Sequence, residues 1–401
     1  METTSNRRSL LTIFFVAFFI LGSTYIISIL ARGYRFSLKN GFTLDPTGII
    51  SAVSRPKGAS VYIDDKLVTA TDDTINLSPG IYSLKISKDG FISWQKNITI
   101  KPETVYQADI QLFSAVPNLK PITLTGALNP SANIDNTKIV YSVASASATK
   151  DNGLYLIEST GLPLSLLRSD SRQIAANTAT IDWSQFTFTF SPNSRQILAN
   201  NSKTKINYLL SLDTPIISQK LTDITDTLEK IKLEWQTQTS LIINTKLESV
   251  PKEIRPLIST TSAKNIQFSS GDDKVLYLAQ IDGNIQNDLI TPPPAQSTQS
   301  QNRQIKAGNY YIYDIKDDTN FLIGSSKTIT NLSWIPNSNN LVFVQDQDLK
   351  VVDYDGTNQQ TIFTSNFNLN CIYPWVDGSK IVILTSPYTN APENLYAISI
   401  K

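Results

Sequence analysis

The chain has 401 residues, with 35 Lys and Arg against 34 Asp and Glu, one Cys, one Met and no His. Without His there is no imidazole base for a serine or cysteine hydrolase, no His-ligated metal and no His pH switch; a lone Cys excludes an intrachain disulfide and a thiolate zinc cluster. The apolar fraction of 41% is that of a folded chain, and the charged fraction of 17% is below the roughly 25% usual for soluble domains, so Asn, Gln, Ser and Thr carry much of the surface.

Residues 1–8 form a short tail carrying Arg7 and Arg8. Ser9 to Ala31 is then a run of 23 uncharged residues dominated by Ile, Leu, Phe and Val, which as a helix spans about 34 Å, slightly more than a bilayer core. A cleaved signal peptide has a shorter apolar region of about 7 to 15 residues and a small-x-small site, which the stretch Ile29-Leu30-Ala31 lacks. The run is read as an uncleaved single-span anchor, placing the lipid bilayer against residues 9–31. Residues 1–40 hold five basic groups and Glu2, leaving 30 basic and 33 acidic groups in the body. No clustered basic field remains for nucleic acid. Arg7 and Arg8 lie on one side of the span and Arg32, Arg35 and Lys39 on the other, so charge alone does not orient it; the short tail and large body favour an extracytoplasmic body.

After a juxtamembrane linker (32–46), residues 47–114 read as short β-branched and aromatic runs: Ile49–Val53, Ser60–Ile63, Thr74–Leu77, Ile81–Lys88, Phe91–Ile100 and Val105–Phe113. Turn signals at Arg55–Gly58, Pro79-Gly80, Asp89-Gly90 and Lys101-Pro102 separate them. Asp89-Gly90 is the expected type I′ hairpin turn, with two positive φ values. The stretch Ser54-Arg55-Pro56-Lys57-Gly58-Ala59-Ser60-Val61-Tyr62-Ile63-Asp64, followed by Leu77-Ser78-Pro79-Gly80, Tyr82, Lys88-Asp89-Gly90-Phe91 and Trp94, resembles the PEGA domain family. Lys57, Asp65, Ala70 and Asp72 depart from that pattern and are expected to weaken the first hairpin. The resemblance implies a small antiparallel sandwich on an extracytoplasmic protein. Gly58 and Gly80 are expected to serve turns, and Tyr62, Tyr82, Phe91 and Trp94 to fill the core.

Beyond Pro117 an aromatic, a Ser-Pro-Asn-like turn and an apolar strand recur. The clearest copies start at Phe190, Trp334 and Trp375, with weaker ones at Trp235 and Phe268 and an early one through Lys138–Tyr141 and Leu154–Ile157. The leading aromatics are separated by 45, 33, 66 and 41 residues, near the period of roughly 40 expected of four-stranded propeller blades. The motif resembles the WD-like repeats of TolB-type propellers, with Asn193 and Asn337 standing where Asp or Gly is usual; Asn tolerates left-handed backbone. The expected fold is therefore mainly β: transmembrane helix, PEGA-like sandwich, and a propeller over 118–401. It has six blades, or seven if Pro251–Pro256 belongs to a degenerate one, and a disordered insertion at about 283–308 around Pro292-Pro293-Pro294.

No catalytic, cofactor-binding or metal-binding residue is assigned. Asp353, Asp355, Gly356 and Asn358 have the wrong spacing for an EF-hand and read as a hairpin turn, Asp272-Asp273 and Asp317-Asp318 as solvated turn carboxylates, and Cys371 as a buried small hydrophobe. A glycosidase built on two carboxylates needs no His and stays open as an alternative, as does a purely structural envelope component. The leading expectation is a non-enzymatic cell-envelope protein, bacterial in type, whose propeller binds a surface protein or glycan while the sandwich spaces it from the bilayer.

Overall fold

The computed structural model describes residues 3–31, 34–37, 43–159, 171–213, 221–291, 297, 299–388 and 391–401. The expected anchor is a helix, α1 (Thr3–Ala31), whose stretch Thr12–Ala31 has a mean hydropathy of 2.4 and no buried residue. It is long and apolar enough to cross a bilayer. Of the linker predicted at 32–46, residues 32–33 and 38–42 lie outside the described ones, and the rest carries a short antiparallel pair, Arg35–Ser37 with Thr43–Asp45.

The chain divides into two compact units. The first takes Met1–Lys88 and Ser93–Ile110, and the second takes Asp89–Ile92 and, from Gln111, the bulk of the rest. In the first unit two antiparallel sheets form a sandwich. One has the order 73–77, 48–55, 105–111, and the other 66–70, 60–63, 80–87, 94–100. The strand Gly48–Arg55 alternates buried and half-buried residues along its length, the period-2 pattern of a strand with one face in a core. That core is aliphatic, built from Ile50, Val61, Leu84, Ile86, Ile98 and Ile100 around a single large aromatic, Trp94. Tyr62, Tyr82 and Phe91, expected inside, are half-buried. The alternation puts Tyr62 on the outward face of its strand, between Val61 and Ile63, while Tyr82 shares the inward parity of Leu84 and Ile86 but lies near the end of its strand, where its hydroxyl donates to Ser78 O at 3.0 Å.

Turn chemistry also differs from expectation. Asp89 does not have positive φ, and only Gly90 does (81°), so the connection from Ser87 to Trp94 is a wider loop rather than a two-residue turn. The two positive φ values fall instead on Asp64 (49°) and Asp65 (62°), joining the paired residues Ile63 and Lys66. Asp64 tolerates this backbone because its carboxylate accepts a hydrogen bond from the Ser83 N–H at 2.9 Å. The departure from the family pattern at Asp65 therefore retains the hairpin and its strand Lys66–Ala70, which the sequence reading passed over.

The second unit is an array of antiparallel sheets with consecutive strand order. Among the described residues there are five large ones. The first is 128–132, 138–143, 153–158, 171–176; the second 187–190, 196–200, 207–211; the third 263–268, 274–279, 309–314, 319–325; the fourth 330–334, 340–345, 348–353, 360–364. The fifth joins 367–374, 380–385 and 394–399 to the strand Asn118–Pro121, which enters the unit first and pairs with its last strand. First strands of neighbouring sheets lie side by side, including those of the fifth and first, except at the junction of the second and third. Circular closure by a terminal strand and adjacent first strands are the marks of a β-propeller.

Two segments expected in blades are corrected. Trp235 leads no sheet; it lies on α2 (Leu228–Leu247), and Pro251–Pro256 runs through a turn into the short helix α3 (Arg255–Ile258). The predicted insertion is likewise ordered at its flanks. Gly283-Asn284 pairs with Gln304-Ile305, and Ile285 and Ile305 are buried against the third sheet; Pro292-Pro293-Pro294 lie outside the described residues.

Candidate functional site

Three of the five first strands share a device. In the first, third and fourth, the pairing slips by a bulge, and the bulged Asn has left-handed backbone: Asn129 (φ 49°), Asn265 (51°) and Asn331 (51°). A bulge re-aims the side chain, and each amide donates to a carbonyl of the next first strand or its approach. Asn129 Nδ2 donates to Ser184 O and Phe186 O at 2.9 and 3.0 Å, Asn265 Nδ2 to Leu332 O at 3.2 Å, and Asn331 Nδ2 to Leu369 O. From the fifth sheet, the Tyr373 hydroxyl donates to Pro130 O at 2.8 Å. These contacts run first to second, third to fourth, fourth to fifth and fifth to first. Between the second and third sheets stands α2.

Helix α2 is tied down at both ends. Ahead of it, the Asp223 carboxylate accepts from the Asn207 N–H at 3.3 Å and from the Thr225 N–H at 3.0 Å. These bonds hold Asp223 below the usual carboxylate range, led by the Thr225 hydroxyl. At its other end Ile243, Leu247 and Val250 enter the core of the third sheet with Tyr277 and Val275, and Lys246 Nζ meets Asp272 at 2.7 Å. Its middle is loosely held, with Leu233 and Leu241 more than 60% exposed.

Two cavities of about 360 Å³ each flank this middle, at the low end of the ~300–1,000 Å³ usual for ligand sites. The first lies toward the first and second sheets and is lined by Ser131, Thr189, Phe190, Trp235, Gln236 and Thr239, with Lys232 at its edge. The second lies toward the third sheet, between Gln236, Thr239, Ser240 and Ile243 on α2 and Thr260, Lys264 and Asn265 opposite. Lys232 is already paired with Glu229 at 3.0 Å. Asn133, also at the first cavity, is engaged with Thr137, Ser194 and Lys138. The side chains of Ser131, Thr189, Gln236 and Thr239 make no hydrogen bond among the described residues, so the polar capacity of this cavity faces outward.

No first strand contains Asp or Glu: they read LNPSA, TFTF, AKNIQF, TNLSW and FNLNCIYP. A carboxylate pair of the kind kept open from the sequence is therefore not found on these five strands. The carboxylates lie elsewhere, and two are engaged rather than freely solvated: Asp318 is buried and Asp273 half-buried. Asp273 contacts Lys274 and Lys316 at 3.0 and 3.2 Å. Burial pushes its pKa up, yet Lys274, Ser269 and Lys316 outweigh this and hold it at about 2. Asp318 is buried and accepts from Arg303 (2.9 Å), the Tyr313 hydroxyl (2.8 Å) and the Leu289 N–H (2.8 Å); burial raises its pKa, and the Arg303 and Tyr313 bonds lower it further than that. Both were expected as exposed turn residues. Asp318 is buried beneath the insertion, through Arg303 and Leu289, whereas Asp273 is half-buried and is held by its two lysines and Ser269.

Asp353 accepts from Asn340 and Asn358 at 2.7 and 3.0 Å in the hairpin turn before 360–364, and no group of three or more Cys, Asp or Glu that could hold a metal occurs among the described residues. Cys371 is buried on the first strand of the fifth sheet, where burial pushes its thiol up. The Asn bulges and the α2 cavities were missed in the sequence. The signal was there in part, because Asn129, Asn265 and Asn331 each stand three residues before the last residue of a first strand.

The PEGA domain family model matches residues 47–115. No curated protein matches the chain in sequence. Among solved structures, the chain is similar to a putative TolB from Agrobacterium tumefaciens (10% identity, 86% of this chain and 99% of that one, TM-score 0.21) and to TolB from Acinetobacter baumannii (11%, 79% and 60%, TM-score 0.21). It is also similar to a Pyrococcus horikoshii acylaminoacyl peptidase (9% identity, TM-score 0.22), covering 70% of this chain but only 39% of that one. A mainly β chain with an apolar N-terminal helix, a segment matching the PEGA domain and a propeller is what sequence and structure agree on.

Proposed function

We propose that this is a membrane-anchored envelope protein whose propeller is a non-enzymatic recognition scaffold, with its ligand site at the first α2 cavity and the sandwich as a membrane-proximal spacer. The observation that carries this reading is the junction between the second and third sheets. There a helix replaces direct contact and leaves Trp235 beside the unengaged side chains of Ser131, Thr189, Gln236 and Thr239.

An aromatic face with neutral hydroxyl and amide groups around it suits a sugar ring, whose C–H face packs on indole while its hydroxyls exchange hydrogen bonds. The absence of carboxylates on the first strands favours binding over hydrolysis. The favoured ligand is a neutral glycan of the cell surface. Titration of the purified chain with neutral envelope oligosaccharides is expected to shift Trp fluorescence, and Trp235→Ala to weaken binding at least about tenfold, the size of one lost stacking contact. Saccharide binding unaffected by Trp235→Ala, or found only for a protein partner, would overturn the reading.

The body is placed outside the cytoplasm. Lys203→Cys, at an exposed turn of the second sheet, is expected to react with an impermeant thiol reagent on intact cells, against the buried native Cys371. Absence of reaction, with labelling after lysis, would place the body inside.

A further inference from the structure

The two ends of the small sandwich differ. At one end lie the start of strand 48–55, the turn Ser78–Gly80 with Ile81, and the turn Lys101–Thr104 with Val105. They are held together by Ile49 N–H to Thr104 O at 2.9 Å and Glu103 N–H to Thr47 O at 3.1 Å. Ile81 is 75% exposed and Val105 54%. Single exposed apolar residues are ordinary on a protein surface; what distinguishes these two is their place at the end that joins α1.

The same end is joined to α1. The Tyr34 N–H donates to Ile29 O in the last turn of α1 at 3.2 Å, and the Tyr34 hydroxyl donates to Glu103 at 2.6 Å. Tyr is the residue expected at the boundary between hydrocarbon and headgroups. Its bond puts the 101–104 turn at that boundary when α1 spans the bilayer. The exposed charges of the two turns are Lys101 and Glu103, which cancel, so no anionic lipid is required.

We propose that this end of the sandwich is a lipid-docking surface: Ile81 and Val105 dip into the interface of a zwitterionic bilayer while Tyr34 and Glu103 fix the domain end-on to the anchor. The proposal rests on α1 being a membrane span and is independent of what the propeller binds. The opposite end, at Lys57, lies about 26 Å away along an eight-residue strand.

The full chain is reconstituted in phosphatidylcholine vesicles, with a fluorophore on Ile81→Cys, Val105→Cys or Lys57→Cys. Replacing the lipid by its acyl-brominated form is expected to quench the first two at least about twofold and to leave Lys57→Cys unchanged. Lack of quenching at both Ile81 and Val105 in vesicles that carry the protein overturns the docking surface. Equal quenching at all three positions overturns the end-on arrangement, and failure of the chain to float with vesicles overturns the anchor on which both depend.

Discussion

The propeller is closed in two different ways. Around most of its circumference neighbouring sheets touch directly, and a bulged Asn or a Tyr hands a hydrogen bond to the next sheet's backbone. Between the second and third sheets a 20-residue helix takes their place, fastened at its ends and loose in its middle. The stapled arc holds the ring, and the helix-filled gap is where cavities and unengaged polar groups remain. Rigidity and recognition are thus separated within one fold, as when binding residues sit on irregular segments carried by a rigid scaffold.

Mutations should break this comparison unequally. Gly378 has φ 64°, and a Cβ there would meet Pro336 O of the neighbouring sheet's turn at 2.1 Å. Gly378→Ala is therefore expected to destabilise by about 3 kcal/mol, read by denaturant unfolding, because neither backbone has room to yield. Asn265→Ala or Asn331→Ala should cost about 2 kcal/mol each, combining left-handed strain with an orphaned carbonyl. A loss under about 0.5 kcal/mol would show that the amide contacts do not hold the arc.

Acid tests the third sheet beside the gap. The pKa of Asp273 is lowered in the folded chain from 3.8 to about 2, so its stabilisation is present above pH 4 and is lost as the pH falls through 2. The loss is on the order of 2 kcal/mol, and Asp273→Asn should remove that part of the pH dependence. The smallest effect is expected in the gap itself. Trp235→Ala should cost about 1 kcal/mol of stability, because the half-buried indole gives up less surface than a core aromatic. A loss as large as that of Gly378→Ala would make α2 a structural blade substitute rather than a binding element.

Much of the fold was legible because local periodicity carries it. Phe190, Trp334 and Trp375 each close a first strand before a tight turn, and the alternation of Gly48–Arg55 is plain in the sequence. Trp235 misled because it precedes Leu241-Ile242-Ile243, a run as apolar as a blade strand; the helix buries only one stripe of its surface and so has a weak 3.6-residue pattern. In the turn after Phe190 the left-handed residue is Ser194 (57°), while Asn193 accepts hydrogen bonds from Arg195 N–H and the Ser191 hydroxyl. Either residue tolerates the turn, and only the register of the flanking strands selects between them.

Sequence by itself determined the apolar helix, the aliphatic alternation and aromatic-turn repeat of the β units, and the absence of His and thiolate chemistry, since each depends on residue type and near-neighbour spacing. Tertiary structure decided the rest. It showed that a helix fills one junction of the ring, that Asp318 is buried and Asp273 half-buried, each paired with a cation, and that Tyr34 meets Glu103 across 69 residues. Contacts between residues far apart in the chain depend on how sheets close around one another, and no local pattern encodes that closure.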